Sequence, residues 1–166
     1  MNGEENNMEN SGKIKIALIS CVSMKSPFEC KAKDLYISPL FKKTWEYNVK
    51  VDRPAGVYIL SALHGLIKYD EVIKPYDKTL LDMSKEEALE WAEKVKSQIK
   101  ETFETSGRTL DDYHFMIYAG SKYYENLLDF FPNKELVFGK LPIGKRLGAL
   151  SSALKSGSKI IWEDFN

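Results

Sequence analysis

Cysteine and histidine are scarce in this chain, with two of each among 166 residues. Cys21 and Cys30 are too few for the disulfide framework of a small secreted domain, and their nine-residue spacing, with no paired histidines, fits no zinc template. Neither a metal site nor a cofactor is expected. Long apolar runs are missing as well. Nothing approaches the roughly 20 residues that cross a bilayer, so no membrane partner is expected. Residues 1–12 are polar, Asn-rich and acidic and lack the basic start and apolar centre of a signal peptide, so the sequence reads as cytoplasmic. Net charge is absent too, with 24 basic residues against 24 acidic ones. The balance is uneven, because Glu4, Glu5 and Glu9 fall in residues 1–12, which are expected to form a disordered acidic tail. That leaves 21 acidic residues for the body. From Lys134 to Lys159 the residues Lys134, Lys140, Lys145, Arg146, Lys155 and Lys159 face only Glu135, which reads as a modest basic end or as ordinary solvated charge.

Hydrophobic residues make up 43% of the chain and charged residues 29%, the balance of a globular protein. At this length one core can bury roughly 70% of the surface that the unfolded chain exposes, and two ordinary domains do not fit. Residues 13–166 are therefore expected to form a single α/β domain. Its strands are expected at Ile14 to Ile19, Gly56 to Leu60, Phe115 to Ala119 and Leu136 to Phe138, each short, apolar and branched as in strands covered on both faces. Lys159 to Trp162 offers a final edge strand. Helical periods lie between them. Ser84 and Glu87 form a capping box ahead of an apolar face of Ala88, Ala92, Val95, Ile99 and Phe103. Shorter helices are expected at Pro39 to Tyr47, at Lys122 to Phe131 before Pro132, and at Ile143 to Leu154 before Gly157. Strands alternating with helices predict a three-layer domain around a central, mostly parallel sheet of four or five strands.

The chemistry gathers where the strands end. Ile59-Leu60-Ser61-Ala62-Leu63-His64-Gly65-Leu66 changes from apolar to polar within four positions. Ile14 to Ile19 does the same at Ser20-Cys21-Val22-Ser23-Met24-Lys25, and Ala119 gives way to Gly120-Ser121-Lys122-Tyr123-Tyr124. Ends of this kind predict one shared crevice. Ser61 to Met83 reads as a loop of more than twenty residues without a regular period, carrying His64, Tyr69, Asp70, Lys74, Tyr76 and Asp77, with Pro75 stiffening it. Ser38-Pro39 reads as a helix start whose amides hold an anion, or as a plain N-cap.

The run Ser61 to Leu66, with Asp70, Ile73, Pro75, Tyr76 and Asp77, resembles the signature of the YaaA-like family of bacterial peroxide-stress proteins. Closer still is the likeness to uncharacterised bacterial and phage proteins that share the segment Lys33-Asp34-Leu35-Tyr36-Ile37-Ser38-Pro39-Leu40-Phe41. Cys21-Val22-Ser23-Met24-Lys25-Ser26-Pro27 is distantly similar to a loop in the glycosylase-like domain of archaeal transfer-RNA base-modifying enzymes. The resemblance implies a fold like that of uracil-DNA glycosylases and a nucleotide, nucleoside or nucleic acid as partner. It does not imply base excision, because glycosylases of that superfamily carry an acidic or amide residue in the first loop and Cys21 to Ser26 has neither.

Chemistry at an N-glycosidic bond needs a carboxylate near the sugar and a donor near the base. Asp77 or Asp70 is the candidate carboxylate, and His64 or Lys25 the candidate donor. Tyr36, Tyr69 or Tyr76 is the candidate stacking ring, set against the plainer reading of a core tyrosine with one wet end. Cys21, Ser23, Tyr36, Ser38, Ser61, Gly65, Tyr76, Gly120, Ser121 and Tyr124 are expected to line the substrate. Cys21 also reads as a small buried residue, His64 as a hydrogen-bonded loop residue and Asp77 as a turn cap. Three functions stay open: processing of a nucleotide or base, non-catalytic nucleic-acid binding with a role in stress through Lys140, Lys145 and Arg146, and small-molecule sensing.

Overall fold

The computed structural model describes residues 12–165. The acidic tail lies outside them apart from Gly12. Four parallel strands, β1 (Ile14–Ser20), β3 (Gly56–Ser61), β6 (Tyr113–Tyr118) and β7 (Lys134–Leu136), form the sheet, and β4 (Gly65–Lys68) runs antiparallel at one edge. Their order is β4-β3-β1-β6-β7. A separate ribbon pairs β2 (Cys30–Lys31) with β5 (Val72–Ile73). The helices are α1 (Ala32–Leu35), α2 (Pro39–Tyr47), α3 (Lys85–Phe103), α4 (Ser121–Tyr124) and α5 (Ile143–Ser156).

Alternation along the strands sorts the layers. Leu18, Tyr58 and Phe115 share one face, on which Phe103 of α3 meets Tyr58 at 5.2 Å, Tyr113 at 5.0 Å and Phe115 at 5.3 Å between ring centroids. Lys15, Ala17, Ile19 and Tyr118 share the other, under α2 and α5, which pack on each other. The result is the expected three-layer α/β domain.

Both bonds of the Ser84 box are present, Glu87 N–H to Ser84 Oγ and Ser84 N–H to Glu87 Oε1, each at 3.1 Å. At the far end of α5, Gly157 takes φ 74°, a left-handed cap that glycine adopts without strain. Helix α2 runs on into a wider turn, Asn48–Asp52, closed by Arg53 N–H donating to Asn48 O at 2.8 Å.

Several boundaries differ from expectation. Residues 61–83 are ordered rather than a plain loop. Ser61 pairs with Gly65, so β3 and β4 form a hairpin around residues 62–64, and Val72–Ile73 joins Cys30–Lys31. Lys159 to Trp162 forms no strand. Trp162 instead packs on Tyr47, Tyr118 and Phe138, burial without a strand partner. The helix expected from Lys122 to Phe131 stops at Tyr124 and tightens into three-residue turns, Leu127 N–H to Tyr124 O and Phe130 N–H to Leu127 O. These allow Tyr123 and Phe131 to reach different parts of the core. β7 pairs through Lys134–Leu136, with Val137 and Phe138 buried in the turn beyond it. The basic end is split, because Lys145 and Arg146 sit at the start of α5 and Lys155 near its end, roughly 14 Å away along the helix axis. Arg146 turns inward, its Nε donating to Leu141 O at 2.6 Å and its guanidinium 4.8 Å from the Phe138 ring centroid.

Candidate functional site

The chain leaves β1 toward β3 on one side and later places β6 on the other, so the connections diverge beyond the carboxyl ends of β1 and β6. Open α/β sheets bind ligands at such a point. Cys21 follows β1 there. Its backbone N–H donates to Leu60 O at 2.9 Å, its Sγ accepts from Ala62 N–H at 3.4 Å, and Tyr123 Oη stands 3.1 Å from the sulfur. Three strand ends are joined by one buried side chain. Burial lifts the Tyr123 phenol well above the ordinary range, with the thiol adding to the effect, and Thr79 and Leu80 hydrogen-bond to the same oxygen. Tyr123 therefore keeps its proton near Cys21 at neutral pH.

Beside this contact lies a chain of hydroxyls. Ser61, fully buried, accepts from Leu63 N–H at 3.2 Å and His64 N–H at 3.0 Å, which fills both lone pairs. Its own proton then goes to Tyr76 Oη at 2.7 Å, and Tyr76 meets Tyr36 Oη at 2.7 Å. Three hydroxyl protons serve two bonds. One phenolic proton remains, and Tyr76, the partly exposed ring of the two, is the one that can offer it to an outside acceptor. The Lys25 ammonium sits 4.4 Å from the Tyr76 ring centroid and 5.8 Å from that of Tyr36, and the His64 ring stands edge-on to Tyr76 at 5.6 Å. Among the described residues Lys25 has no carboxylate partner.

Burial pushes Tyr36 up to about 12, and burial with the neighbouring Cys21 thiol pushes Tyr76 higher still, so both phenols act as donors. Tyr47 is likewise raised to about 12 by burial. Unfolded phenols ionise near about 10. Below that pH the folded and unfolded chains hold the same phenolic protons and the stabilisation is complete; above it the unfolded chain ionises first and stability falls. The urea midpoint is expected to drop steeply between about pH 10 and 12, and a flat midpoint over that window would contradict the burial of these rings.

Helix α3 holds the hairpin turn from beneath. Trp91 Nε1 donates to Ser61 O at 2.9 Å, Lys94 Nζ to Leu63 O at 3.1 Å and Gln98 Nε2 to His64 O at 3.0 Å, while Gln98 Oε1 accepts from Leu66 N–H at 2.8 Å. Their spacing of three and four places them on one helix face. Gly65, at φ 74°, faces the Gln98 amide so closely that a Cβ there would overlap it.

The residues 16–152 match the model described as "Family of unknown function (DUF6884)". The chain belongs to this family. No curated protein and no solved structure matches the chain. The span shared with DUF6884 runs from β1 into α5 and so contains the whole crevice.

Within this DUF6884 domain the crevice brings together Cys21, Lys25, Tyr36, Ser61, His64 and Tyr76. Tyr36 is fully buried, so it is a hydroxyl partner and not a stacking ring. Ser38 is the N-cap of α2, its Oγ accepting from Phe41 N–H at 3.2 Å, and Gly65 packs toward Gln98. Ser23 and Gly120 are exposed on the strand-end loops, Ser121 is exposed at the first position of α4, and Tyr124 is half-buried beside Arg146. Asp70 lies exposed in the turn between β4 and β5, and Asp77 is exposed next to Tyr76; neither shows a contact with the crevice side chains. The turn at residues 80–82 is capped by Thr79, which accepts from Leu81 N–H at 3.2 Å, not by Asp77. Tyr69 stacks on Trp45, away from the crevice. Among the described residues no group of three or more His, Cys, Asp or Glu can hold a metal ion, and no helix is long and apolar enough to cross a membrane. Tyr123 was expected only as a member of the run Gly120 to Tyr124, and Thr79, Trp91, Lys94 and Gln98 were not anticipated. The last three had a signal in their shared helical face.

Proposed function

We propose that this domain binds a nucleotide, nucleoside or base in the crevice at the carboxyl ends of β1, β3 and β6. The observation that carries the reading is the spare phenolic proton of the Ser61–Tyr76–Tyr36 chain, next to a lysine with no carboxylate partner. A base offers a carbonyl or ring-nitrogen acceptor to the phenol, and a phosphate is the natural counter-ion for Lys25. His64 lies at the same rim. Cleavage of an N-glycosidic bond needs a carboxylate at the sugar, and Asp77 and Asp70 are exposed and make no hydrogen bond or ion pair with a crevice side chain, so we assign the site to recognition rather than to bond cleavage.

A panel of bases, nucleosides and nucleotides is expected to contain a member that raises the melting temperature by roughly 5 °C or more at a hundredfold excess over its Kd. Tyr76→Phe leaves Ser61 and Tyr36 short of a partner and is expected to destabilise by about 1–2 kcal/mol while abolishing the ligand shift. Lys25→Met is expected to weaken phosphorylated members more than unphosphorylated ones. A shift that survives Tyr76→Phe, or a panel without effect, overturns the reading.

A further inference from the structure

At the opposite end of β3, a strand length of roughly 16 Å from Ser61, a groove of about 440 Å³ opens between Trp45, Val49, Arg53, Pro54, Val57 and Tyr69. Its volume lies within the usual range for small-molecule sites. The Trp45 and Tyr69 rings stand 5.2 Å apart and inclined by 45°, forming an aromatic wall, with Tyr69 41% and Val49 48% exposed. Arg53 is the only charged residue in this lining. Its side chain is exposed and makes no hydrogen bond or ion pair among the described residues. The acids nearest to Arg53 in sequence are committed elsewhere: Asp52 turns inward to Lys15 at 3.2 Å, and Glu46 pairs with Lys50 at 3.7 Å.

The backbone of Arg53 adds a second observation. It has φ 51° and ψ 60°, the left-handed conformation that ends the Asn48–Asp52 turn, where glycine would sit without strain. Gly56 lies only three residues on, so the segment is not poor in glycine. An arginine at the strained position delivers a guanidinium to the rim of an aromatic groove with no partner for it among the described residues. Its planar fork pairs with a carboxylate through two parallel bonds.

We propose that this groove is a second binding site, separate from the crevice, and that it takes a planar aromatic carboxylate. The ring lies against Trp45 and Tyr69, and the carboxylate meets Arg53. No bond is made or broken.

The test uses the full chain with 1-naphthoate and its uncharged analogue 1-naphthamide, followed by calorimetry and by the indole N–H resonance of Trp45. Trp91 and Trp162 are buried and serve as controls. Naphthoate is expected to bind about tenfold more tightly than naphthamide and to move the Trp45 resonance alone. Arg53→Gly relieves the backbone, so it is expected to raise the melting temperature by about 3 °C while lowering naphthoate affinity to that of the amide. Tyr76→Phe is expected to leave naphthoate binding unchanged, which separates this site from the crevice. Equal binding of acid and amide, an unmoved Trp45 resonance, or full naphthoate affinity in Arg53→Gly each overturns the proposal.

Discussion

Asp52→Asn is expected to lower stability by about 3–5 kcal/mol, a fall in melting temperature on the order of 10 °C for a chain of this length. Lys15 and Asp52 are 8% and 5% exposed, and the Lys15 ammonium lies 3.2 and 3.4 Å from the two carboxylate oxygens. Taking both ions out of water is offset only by their mutual attraction. The asparagine keeps the shape and leaves the ammonium buried beside a neutral amide. Glu135, half-buried on the same sheet face, is an alternative counter-ion. Its carboxyl is raised by burial and by Glu163 and Asp52, and lowered by Lys15. If Glu135 takes over the charge, the loss shrinks, and Glu135→Gln in the Asp52→Asn background restores it. Replacing the pair together, Lys15→Met with Asp52→Leu, removes both desolvation costs and is expected to be close to neutral. Urea melts of the four chains decide it, and a loss below about 1 kcal/mol for both Asp52→Asn and the Glu135 double variant sinks the argument.

Features fixed by neighbouring residues were legible in the sequence. The Ser84–Glu87 box and the apolar runs of β1, β3 and β6 each need only a handful of adjacent positions, and all appear, with β6 shifted to start two residues before the expected Phe115. β4 was not legible, because Leu66 and Ile67 are too short an apolar run to declare a strand, and the pairing depends on Gly65 entering the left-handed region. Trp162 failed in the opposite sense. Ile160 to Trp162 carries strand-like residues, yet the burial comes from Tyr47, Tyr118 and Phe138, so apolar composition marked the core without marking the element.

The crevice followed the same division. Its location was visible as a loss of apolar character at Ser20, Ser61 and Gly120, a local change in composition. The partners inside it were not, since Cys21 meets Tyr123 across 102 positions and the phase of a four-residue helix decides whether Tyr123 or Tyr124 faces inward. Tyr36 and Tyr69 shared one candidate role in the sequence and have divergent fates in the fold. Tyr36 is sealed into the hydroxyl chain, whereas Tyr69 follows β4 to the opposite end of the strands and joins Trp45. Tyrosines advertise an apolar body and a polar tip, and only the topology says which is used.

Gly65→Ala tests whether that topology is held by one side chain, with an expected loss of about 3 kcal/mol. The left-handed backbone at φ 74° accounts for about 1–2 kcal/mol of this. The remainder comes from Gln98, whose amide occupies the space a Cβ needs and must give up its bonds to Leu66 N–H and His64 O, at about 1 kcal/mol each. The two contributions separate in a double-mutant cycle. Gln98→Ala alone loses the two bonds, and Gly65→Ala added to it should cost only the backbone strain. The expected coupling is therefore on the order of 1–2 kcal/mol, with the double variant more stable than the sum of the singles. Because Gln98 fixes the carbonyl of His64, both single variants should also weaken any ligand that the crevice holds, without touching the Tyr76 hydroxyl. Strictly additive losses would mean that Gly65 is required for its backbone alone and that the hairpin turn does not depend on Gln98.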